Sequence, residues 1–450
     1  MTDAAGTTDA AVFRGRAAVR AGILVTGTEV LTGIISDRNG PWLSEQLRGI
    51  GVDVAMITVV GDRPSDLRDE LRHMADAGVQ LIVTSGGLGP TADDLTAEIV
   101  SEFCGREMVL DEALEQRIYE ILRSFRARWP DLDEQALLAA NRKQALVPVG
   151  STVLAPVGTA PGLVVPPLEA GAGPTVVVLP GPPRELQPMW LQAVATDAVR
   201  AAVVGAVGVQ TGILRLYGIP EAEIANTLRA ADAAGLELAQ LEITTCLRRG
   251  EIEVATRYEP GASGEYLKLV DFIAGRHERA LFSRDGATID EQVVGLVRAA
   301  DATVAVAESC TGGLLAARFT DVAGSSEYFL GGVVAYSNEA KVSLVGVDPG
   351  LIEQFGAVSV EVARALAEGA RERFGASIGI GVTGVAGPGG GTEEKPVGFV
   401  CFSVAFGSAA AVERSLTVSA RLPGDRADVR ERSTTVSMHL LARVLQGESD

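Results

Sequence analysis

The sequence predicts an α/β protein of several domains, and three observations carry that prediction. The first is the alternation of short apolar runs with amphipathic ones. Ala21 to Thr26, Val52 to Val60 and Val79 to Thr84 read as buried strands. Between them Trp42, Leu43 and Leu47, then Leu67, Leu71 and Met74, recur at helical spacing. Strand, helix, strand, helix, strand with short links implies a parallel sheet covered on both faces. The second observation is length: 450 residues suggest about three domains. The third is composition. Apolar residues at 47% suffice to bury sizeable cores, and 22% charged residues with few aromatics suit a chain rich in Ala, Val and Gly.

Composition also excludes several classes. No apolar run approaches about 18 residues free of charges and breakers, so no membrane span is expected. Residues 1–19 lack a signal-peptide core and read as a disordered tail. Cys104, Cys246, Cys310 and Cys401 are scattered without a CxxC pair. That pattern argues for a reducing cytoplasm and against a disulfide framework or a thiolate zinc site. A formal net charge of -19 makes general nucleic-acid binding a poor fit. An anionic ligand would be held locally, by backbone nests and a few placed cations.

Residues 20–207 form the first predicted domain. After the first strand comes the glycine-punctuated loop Gly27 to Gly33, and Asn39 is placed to cap a helix starting at Gly40-Pro41. In parallel sheets ligands sit beyond the carboxyl ends of the strands. Here that place is Ser85 to Asp94. Its glycines expose N–H groups suited to phosphate oxygens. Asp93 and Asp94 read as the opening of the next helix, where they either hold a divalent cation bridging phosphates or merely favour the helix dipole. Helices follow at Asp111 to Arg128 and Asp133 to Ala140. Gly158 to Gly162 reads as a tight loop near the ligand. Thr175 to Leu179 is a further strand, and Pro180 to Glu185 opens the helix through Trp190.

Residues 208–285 differ. A strand (Gln210 to Tyr217), a helix (Glu221 to Ala230), two paired strands (Leu236 to Leu247, Glu251 to Tyr258), a helix (Ser263 to Gly275) and a last strand (Ala280 to Phe282) give a βαββαβ order. That order is compatible with a small α+β sandwich of KH-like form. It has no GxxG clamp between the expected elements, so a spacer rather than an RNA-binding role is expected.

Residues 286–450 form the last α/β unit. Its centre is Glu308-Ser309-Cys310-Thr311-Gly312-Gly313, between the strand Thr303 to Ala307 and the helix Leu314 to Phe319. A hydroxyl at a strand-to-helix turn sits where backbone N–H groups and the positive end of a helix converge, which suits a nucleophile and its oxyanion. An ordinary capped turn would use similar residues. Cys310 is a rival nucleophile, since a thiol beside a helix N-terminus has a lowered pKa. A Ser-His-acid triad would need His439, which lies mid-helix between Met438 and Leu440 and reads as packing. A serine can instead be activated by a neutral lysine. Lys341 and Lys395 both lie in polar loops near glycine clusters, and Lys341, beside Tyr336, Ser337 and Asn338, is the better candidate. The helix Val360 to Phe374 and the strand Ser377 to Val382 lead to the loop Thr383 to Gly391, which is similar in form to the 85–94 loop. Val397 to Val404 is a strand. Arg426 and Arg430, spaced i, i+4 on the terminal helix, can meet one phosphate or pair with Asp425, Asp428 or Glu431.

These motifs resemble a known family. AESCTGG, GSSEYFLGGVVAYSNEAK, GAVS, TGVAGPGGG, KPVGFV and GDRADVR are similar to the C-terminal domain of the competence/damage-inducible CinA proteins, the PncC domain. GTEVLTG, SDRN, TSGGLGPTADD, RKQA, GTAPG and LPGPPRE are similar to the CinA N-terminal domain, which has the molybdopterin-binding, MoaB/MogA-like fold. The resemblance spans residues 20 to 450. It implies nicotinamide mononucleotide deamidation in NAD salvage by residues 286–450, without a cofactor. It further implies ADP-ribose pyrophosphatase activity by residues 20–207 with a divalent metal (Mg, Mn or Co) together with potassium, and a homodimer. Carried over by position, it makes Ser309, Lys341 and Tyr336 catalytic. Substrate binding falls to Thr311, Gly312, Gly313, Thr383, Gly384, Gly387, Gly389, Arg426 and Arg430. The N-terminal nucleotide site takes Glu29, Asn39, Gly86, Gly87, Gly89, Thr91 and Asp94, with Asp93 and Asp94 as metal ligands. Two positions depart from the family pattern: Thr28 stands where an Asp is usual, and Pro156 where Asn is frequent. The competing expectation is a nucleotide- or molybdopterin-binding protein linked to competence or DNA damage, without turnover.

Overall fold

A computed structural model describes residues 19–126, 138, 141–169, 171–206, 208–408 and 411–450. The expected tail, apart from residue 19, and the expected helix Asp133 to Ala140, apart from residue 138, lie outside the described residues. The chain divides into two compact units. One runs to Gln210 and includes Tyr258–Gly261; the other comprises Thr211–Arg257 and Ala262–Asp450.

The first unit is built on a six-stranded sheet in the order Asp53–Val60, Arg20–Thr26, Leu81–Ser85, Thr175–Leu179, Gly162–Val165, Thr152–Leu154. The first four strands pair in parallel, and each of the last two pairs antiparallel with the strand before it. Successive side chains on a strand point to opposite faces. Leu24, Ile82, Val176 and Val178 therefore enter one core with Leu67, Leu71 and Met74 of the helix Pro64–Asp76. Ile23, Val25, Leu81, Val83, Val177 and Leu179 enter the other with Leu43 and Leu47 of the helix Asn39–Gly49 and Leu186, Met189 and Trp190 of the helix Pro183–Val194. Burial on both faces explains why these strands read as continuous apolar runs. The last two strands, of four and three residues, lie among the prolines and glycines between Pro148 and Pro167 and carried no periodic signal.

The second unit, apart from the end residues Gln210 and Tyr258, holds a four-stranded sheet in the order Glu242–Arg248, Glu251–Tyr258, Gln210–Tyr217, Leu281–Ser283, with the helices Glu221–Ala233 and Ser263–Arg276. The first paired strand begins at Glu242 rather than Leu236. Gly235, at φ 87, ends the preceding helix, and Leu238–Gln240 form a 3₁₀ turn.

The larger sheet of this unit runs Phe329–Val334, Val304–Glu308, Ile378–Gly384, Phe399–Ser408, Ala411–Arg421. The first three are parallel and the last two antiparallel. Val304 and Val306 face Leu315, Phe319, Val429, Leu440 and Leu441, whereas Ala305 and Ala307 face Val345, Val362, Leu366 and Ala370. The second face is lined by small residues for a steric reason. A Cβ on Gly379 would stand 1.8 Å from the carbonyl oxygen of Ala367, and one on Gly381 2.1 Å from that of Ala363. The helix Val360–Phe374 lies directly on the strand backbone.

Candidate active site

Three parallel strands of the second unit end at one place. Glu308 lies opposite both Val382 and Val334 in register, Ser309 N donates to Val382 O at 2.9 Å, and Ala335 N donates to Glu308 O at 2.8 Å. The register thus sets Ser309 beside the chain entering Thr383–Gly384 on one side and the chain leading to Lys341 on the other. Lys341 sits in the helix Asn338–Val345, whose N-cap Ser337 accepts from Ala340 N, and not in a loop as its polar neighbours suggested. Its side chain is buried at 2% exposure, and Nζ lies 3.2 Å from Ser309 Oγ, 3.0 Å from Ala335 O and 3.2 Å from Tyr336 O. Burial holds the ammonium below its ordinary pKa, against weaker opposing effects of Cys310 and Glu339. A neutral amine here uses two N–H bonds on the two carbonyls and turns its lone pair to the serine hydroxyl.

A cavity of about 290 Å³ opens onto this pair. Ser309, Cys310, Tyr336, Asn338, Lys341, the Ala357–Val358 turn, Thr383 to Gly387, Gly389, Gly390 and Arg426 line it. Arg426 reaches Gly387 O (2.6 Å) and Tyr336 Oη (3.2 Å), bridging two walls. The Tyr336 hydroxyl is engaged by Arg426, while its carbonyl holds Lys341. Arg430 takes a different part from the expected one. It donates to Cys310 O (3.2 Å) and Thr311 O (2.9 Å), bracing the serine turn rather than lining the cavity. Thr311, Gly312 and Gly313 form the turn and are likewise absent from the described lining. Thr383 Oγ1 donates to Ala357 O at 2.8 Å, tying two lining loops together.

Two chemical expectations are corrected. The Cys310 thiol is not activated by the helix; burial pushes its pKa up to about 12. Nor are the helix's first N–H groups open to an oxyanion. The carboxylate of Glu308, buried at 1% exposure, accepts from Gly313 N (3.0 Å), Leu315 N (3.0 Å) and Ala316 N (2.8 Å). It offsets the positive end of the helix Leu314–Thr320 from inside the core. His439 bonds Glu251 at 2.6 Å and stacks on Tyr217, so it serves packing. Lys395 Nζ donates to Phe355 O at 2.6 Å.

The first unit holds a second site at its strand ends. A cavity of about 390 Å³ is lined by Gly27, Glu29, Asp62, Gly86, Gly87, Gly89, Asp93, Asp94, Gln144 and Glu185 among others, with an adjoining one of about 310 Å³ that includes Asn39. Gly86 (φ 112) and Gly87 (φ 66) are required here. A Cβ would meet Thr26 O at 2.5 Å and Thr96 Oγ1 at 2.0 Å. Asn39 does not cap its helix: Asp37 Oδ1 accepts from Asn39 N and Gly40 N, and Asn39 Nδ2 donates to Ser85 Oγ (2.8 Å) and Gly181 O (2.6 Å). Asp93 and Asp94 precede the helix Thr96–Phe103 instead of opening it, and both accept from the Thr91 hydroxyl. Lys143 holds Thr91 O and Gln144 holds Leu88 O, so the RKQA segment braces this loop. Thr28 donates through N and Oγ1 to Asp62 Oδ2, both at 2.8 Å, which brings a carboxylate beside the position where the sequence resemblance implies an Asp.

The donors of this cavity are hard oxygens, the class that binds Mg²⁺ or Mn²⁺. Among the described residues no three Asp, Glu, His or Cys side chains converge as a ready-made metal cage.

Comparison with known proteins covers both ends of the chain. The family model for the CinA C-terminal domain matches residues 286–445, and that for a probable molybdopterin binding domain matches residues 22–199. A CinA-like protein of Mycolicibacterium vanbaalenii is 59% identical over 428 residues, covering 95% of this chain and 99% of its own length. The chain belongs to the CinA family. A CinA-like protein of Mycobacterium tuberculosis is 55% identical over 433 residues, 95% of this chain and 98% of that one. A crystal structure of a competence/damage inducible protein from Agrobacterium tumefaciens is 35% identical, covering 35% of this chain and 95% of that one, with a TM-score of 0.33. CinA membership supports a CinA-type function for this chain. No helix among its described residues is long and apolar enough to cross a membrane.

Some residues that line or brace these cavities escaped the sequence reading. Glu308 as an internal cap had a signal: an acid ending an apolar strand just before a helix. Asn338 and the Ala357–Val358 turn, like Asp62, Gln144 and Glu185 in the first unit, had none, because only the fold brings those segments to the cavities.

Proposed function

We propose that the second unit hydrolyses the carboxamide of nicotinamide mononucleotide to nicotinate mononucleotide and ammonia. The observation that carries this reading is Lys341 Nζ, buried and 3.2 Å from Ser309 Oγ, with two carbonyls fixing its remaining N–H directions. Neutral Lys341 takes the proton of Ser309 Oγ as that oxygen attacks the carboxamide carbon. The lysine then passes the proton to the departing nitrogen, ammonia leaves, and an acyl-serine remains. Water attacks that ester with Lys341 again as base, returning the proton to Ser309 and releasing the carboxylate. Arg426 and the backbone of the 383–391 loop hold the nucleotide, and Tyr336 keeps Arg426 in place. The test is ammonia and nicotinate mononucleotide release by wild type and Ser309→Ala side by side. Turnover is expected from the first and none from the second, with nucleotide binding kept in both; release by the variant refutes the mechanism.

For the first unit, the glycine-rich, acid-lined cavity favours hydrolysis of the ADP-ribose pyrophosphate. A divalent cation held by Asp93 and Asp94 would neutralise the pyrophosphate charge. Gly86, Gly87 and Gly89 would take phosphate oxygens, while Asn39 fixes the walls. Asp93→Ala or a chelator is expected to stop AMP formation and leave deamidation untouched. Ligand binding without AMP formation by wild type would instead favour a nucleotide- or pterin-binding domain.

A further inference from the structure

The small four-stranded sheet was expected to be a spacer, yet it grips the helix that reaches the amidase cavity. That helix, Arg426–Leu445, carries Arg426 and Arg430 at its first two turns, where they hold Gly387 O, Tyr336 Oη and the carbonyls of Cys310 and Thr311. About two and a half turns beyond Arg430, His439 is 7% exposed and lies between residues of the small sheet. Its Nε2 is 2.6 Å from Glu251 Oε1, its ring stacks on Tyr217 at 3.7 Å and 6°, and Phe282 meets its edge at 4.8 Å. Arg249, at the turn of the same hairpin, pairs with Glu431 at 3.0 Å. Arg318 adds a fixed point from the serine-turn helix, donating to Thr434 (3.1 Å) and Thr435 (2.9 Å) and pairing with Asp290.

We infer that Glu251, His439 and Tyr217 are positioning residues for the amidase site. They fix the height and rotation of the terminal helix, and through it the places of Arg426 and Arg430. This inference rests on the deamidase reading for its kinetic test. A helix is stiff along its axis, so a side chain locked at one end constrains those at the other. A buried, hydrogen-bonded pair stacked on a ring has one arrangement, and misplacement of a binding cation by a fraction of an ångström weakens binding without touching the nucleophile.

The experiment uses the full chain carrying Glu251→Gln, with Tyr217→Leu as a second variant and Tyr217→Phe as the conservative one. KM for nicotinamide mononucleotide is expected to rise about tenfold in the first two, with kcat changed less, and to stay at the wild-type value in Tyr217→Phe. In an Arg426→Ala background the effect of Glu251→Gln on KM should shrink, since part of it passes through Arg426. Amide hydrogen exchange of residues 310–313 and 386–390 is read on the same proteins, and several-fold faster exchange is expected in Glu251→Gln and Tyr217→Leu. Folded variants with unchanged KM and unchanged exchange overturn the inference, as does a KM effect that persists undiminished without Arg426. If wild type releases no ammonia, the deamidase reading falls, and the exchange measurement alone then decides whether the small sheet positions the turn.

Discussion

At the scale of single residues, Lys341 Nζ stands among one hydroxyl and two carbonyl oxygens. Carbonyl dipoles hold its hydrogens but do not supply the full charge that would keep an ammonium stable under burial, so its pKa falls below 10.5. The sign of the pH dependence follows. Under the proposed mechanism the working form is the free amine, so kcat/KM is expected to rise as pH climbs through the lowered lysine pKa and then level off. Lys341→Met keeps the aliphatic length, removes the base, and is expected to cost about 10²–10⁴ in rate and to abolish that limb. Ammonia release measured across pH checks both; an unchanged limb in the variant would assign it to another group. Cys310 shows the opposite lesson. Its place beside a helix N-terminus promised a reactive thiolate, but Glu308 has already taken that end of the helix, and burial raises the thiol. Sequence spacing located the turn correctly; which groups the helix end serves is decided by a side chain folded inward.

At the scale of elements, the helix Val360–Phe374 and the strand Ile378–Gly384 approach so closely that glycine is a steric requirement. Gly379→Ala places a methyl 1.8 Å from a backbone oxygen, so the helix must shift. A loss of roughly 1–3 kcal/mol is expected, read as a lower denaturant midpoint. Gly295, exposed in the helix Ile289–Ala299 with open space around it, is the internal control. Gly295→Ala should stabilise by roughly 0.5–1 kcal/mol, and a loss there would show that backbone crowding is not what distinguishes the two sites. The same contrast explains what was legible in the sequence. Strands buried on both faces and amphipathic helices announce themselves, as Leu81–Ser85 and Pro64–Asp76 did. The edge strand Ala411–Arg421, with Val412 and Glu413 exposed, offered no apolar run, and the short Thr152–Leu154 offered too few residues. Within the site, Ser309 and Lys341 were legible because their motifs carry chemistry. The carbonyls that Arg430 reaches, Cys310 O and Thr311 O, were not legible, because a cation at i+4 to another says nothing about what lies beneath it. Asp62 was missed because its contact with Thr28 crosses 34 residues of chain.

At the scale of the whole molecule, the histidines of the second unit set its response to acid. Burial holds His439 below its ordinary value of 6.5, with Glu251 and Asp290 opposing and Arg318 reinforcing the shift. His277, hydrogen-bonded to Thr227, is lowered by burial as well, with Arg276 reinforcing and Glu223 opposing. For such groups the unfolded chain binds the proton more readily than the folded one. Their contribution is therefore intact above the unfolded pKa of 6.5, and is lost as pH falls from there through the depressed folded values. The carboxylates with lowered values, Asp285, Glu291 and Glu448 among them, begin to matter only below their own ordinary values of 3.8 to 4.5. A window between about pH 6.5 and pH 5 thus reports the histidines with little carboxylate interference. Thermal unfolding of the second unit is expected to move to lower temperature across that window. His439→Gln, which retains a hydrogen-bond donor for Glu251, and His277→Gln should each flatten part of the slope while lowering stability at pH 7.5. Because His439 also joins the small sheet to the terminal helix, the amidase KM should rise along the same acid limb as the unfolding temperature falls. A wild-type protein whose unfolding temperature is constant from pH 7.5 to pH 5 would remove the histidines from this account, and with them the acid sensitivity of the joint.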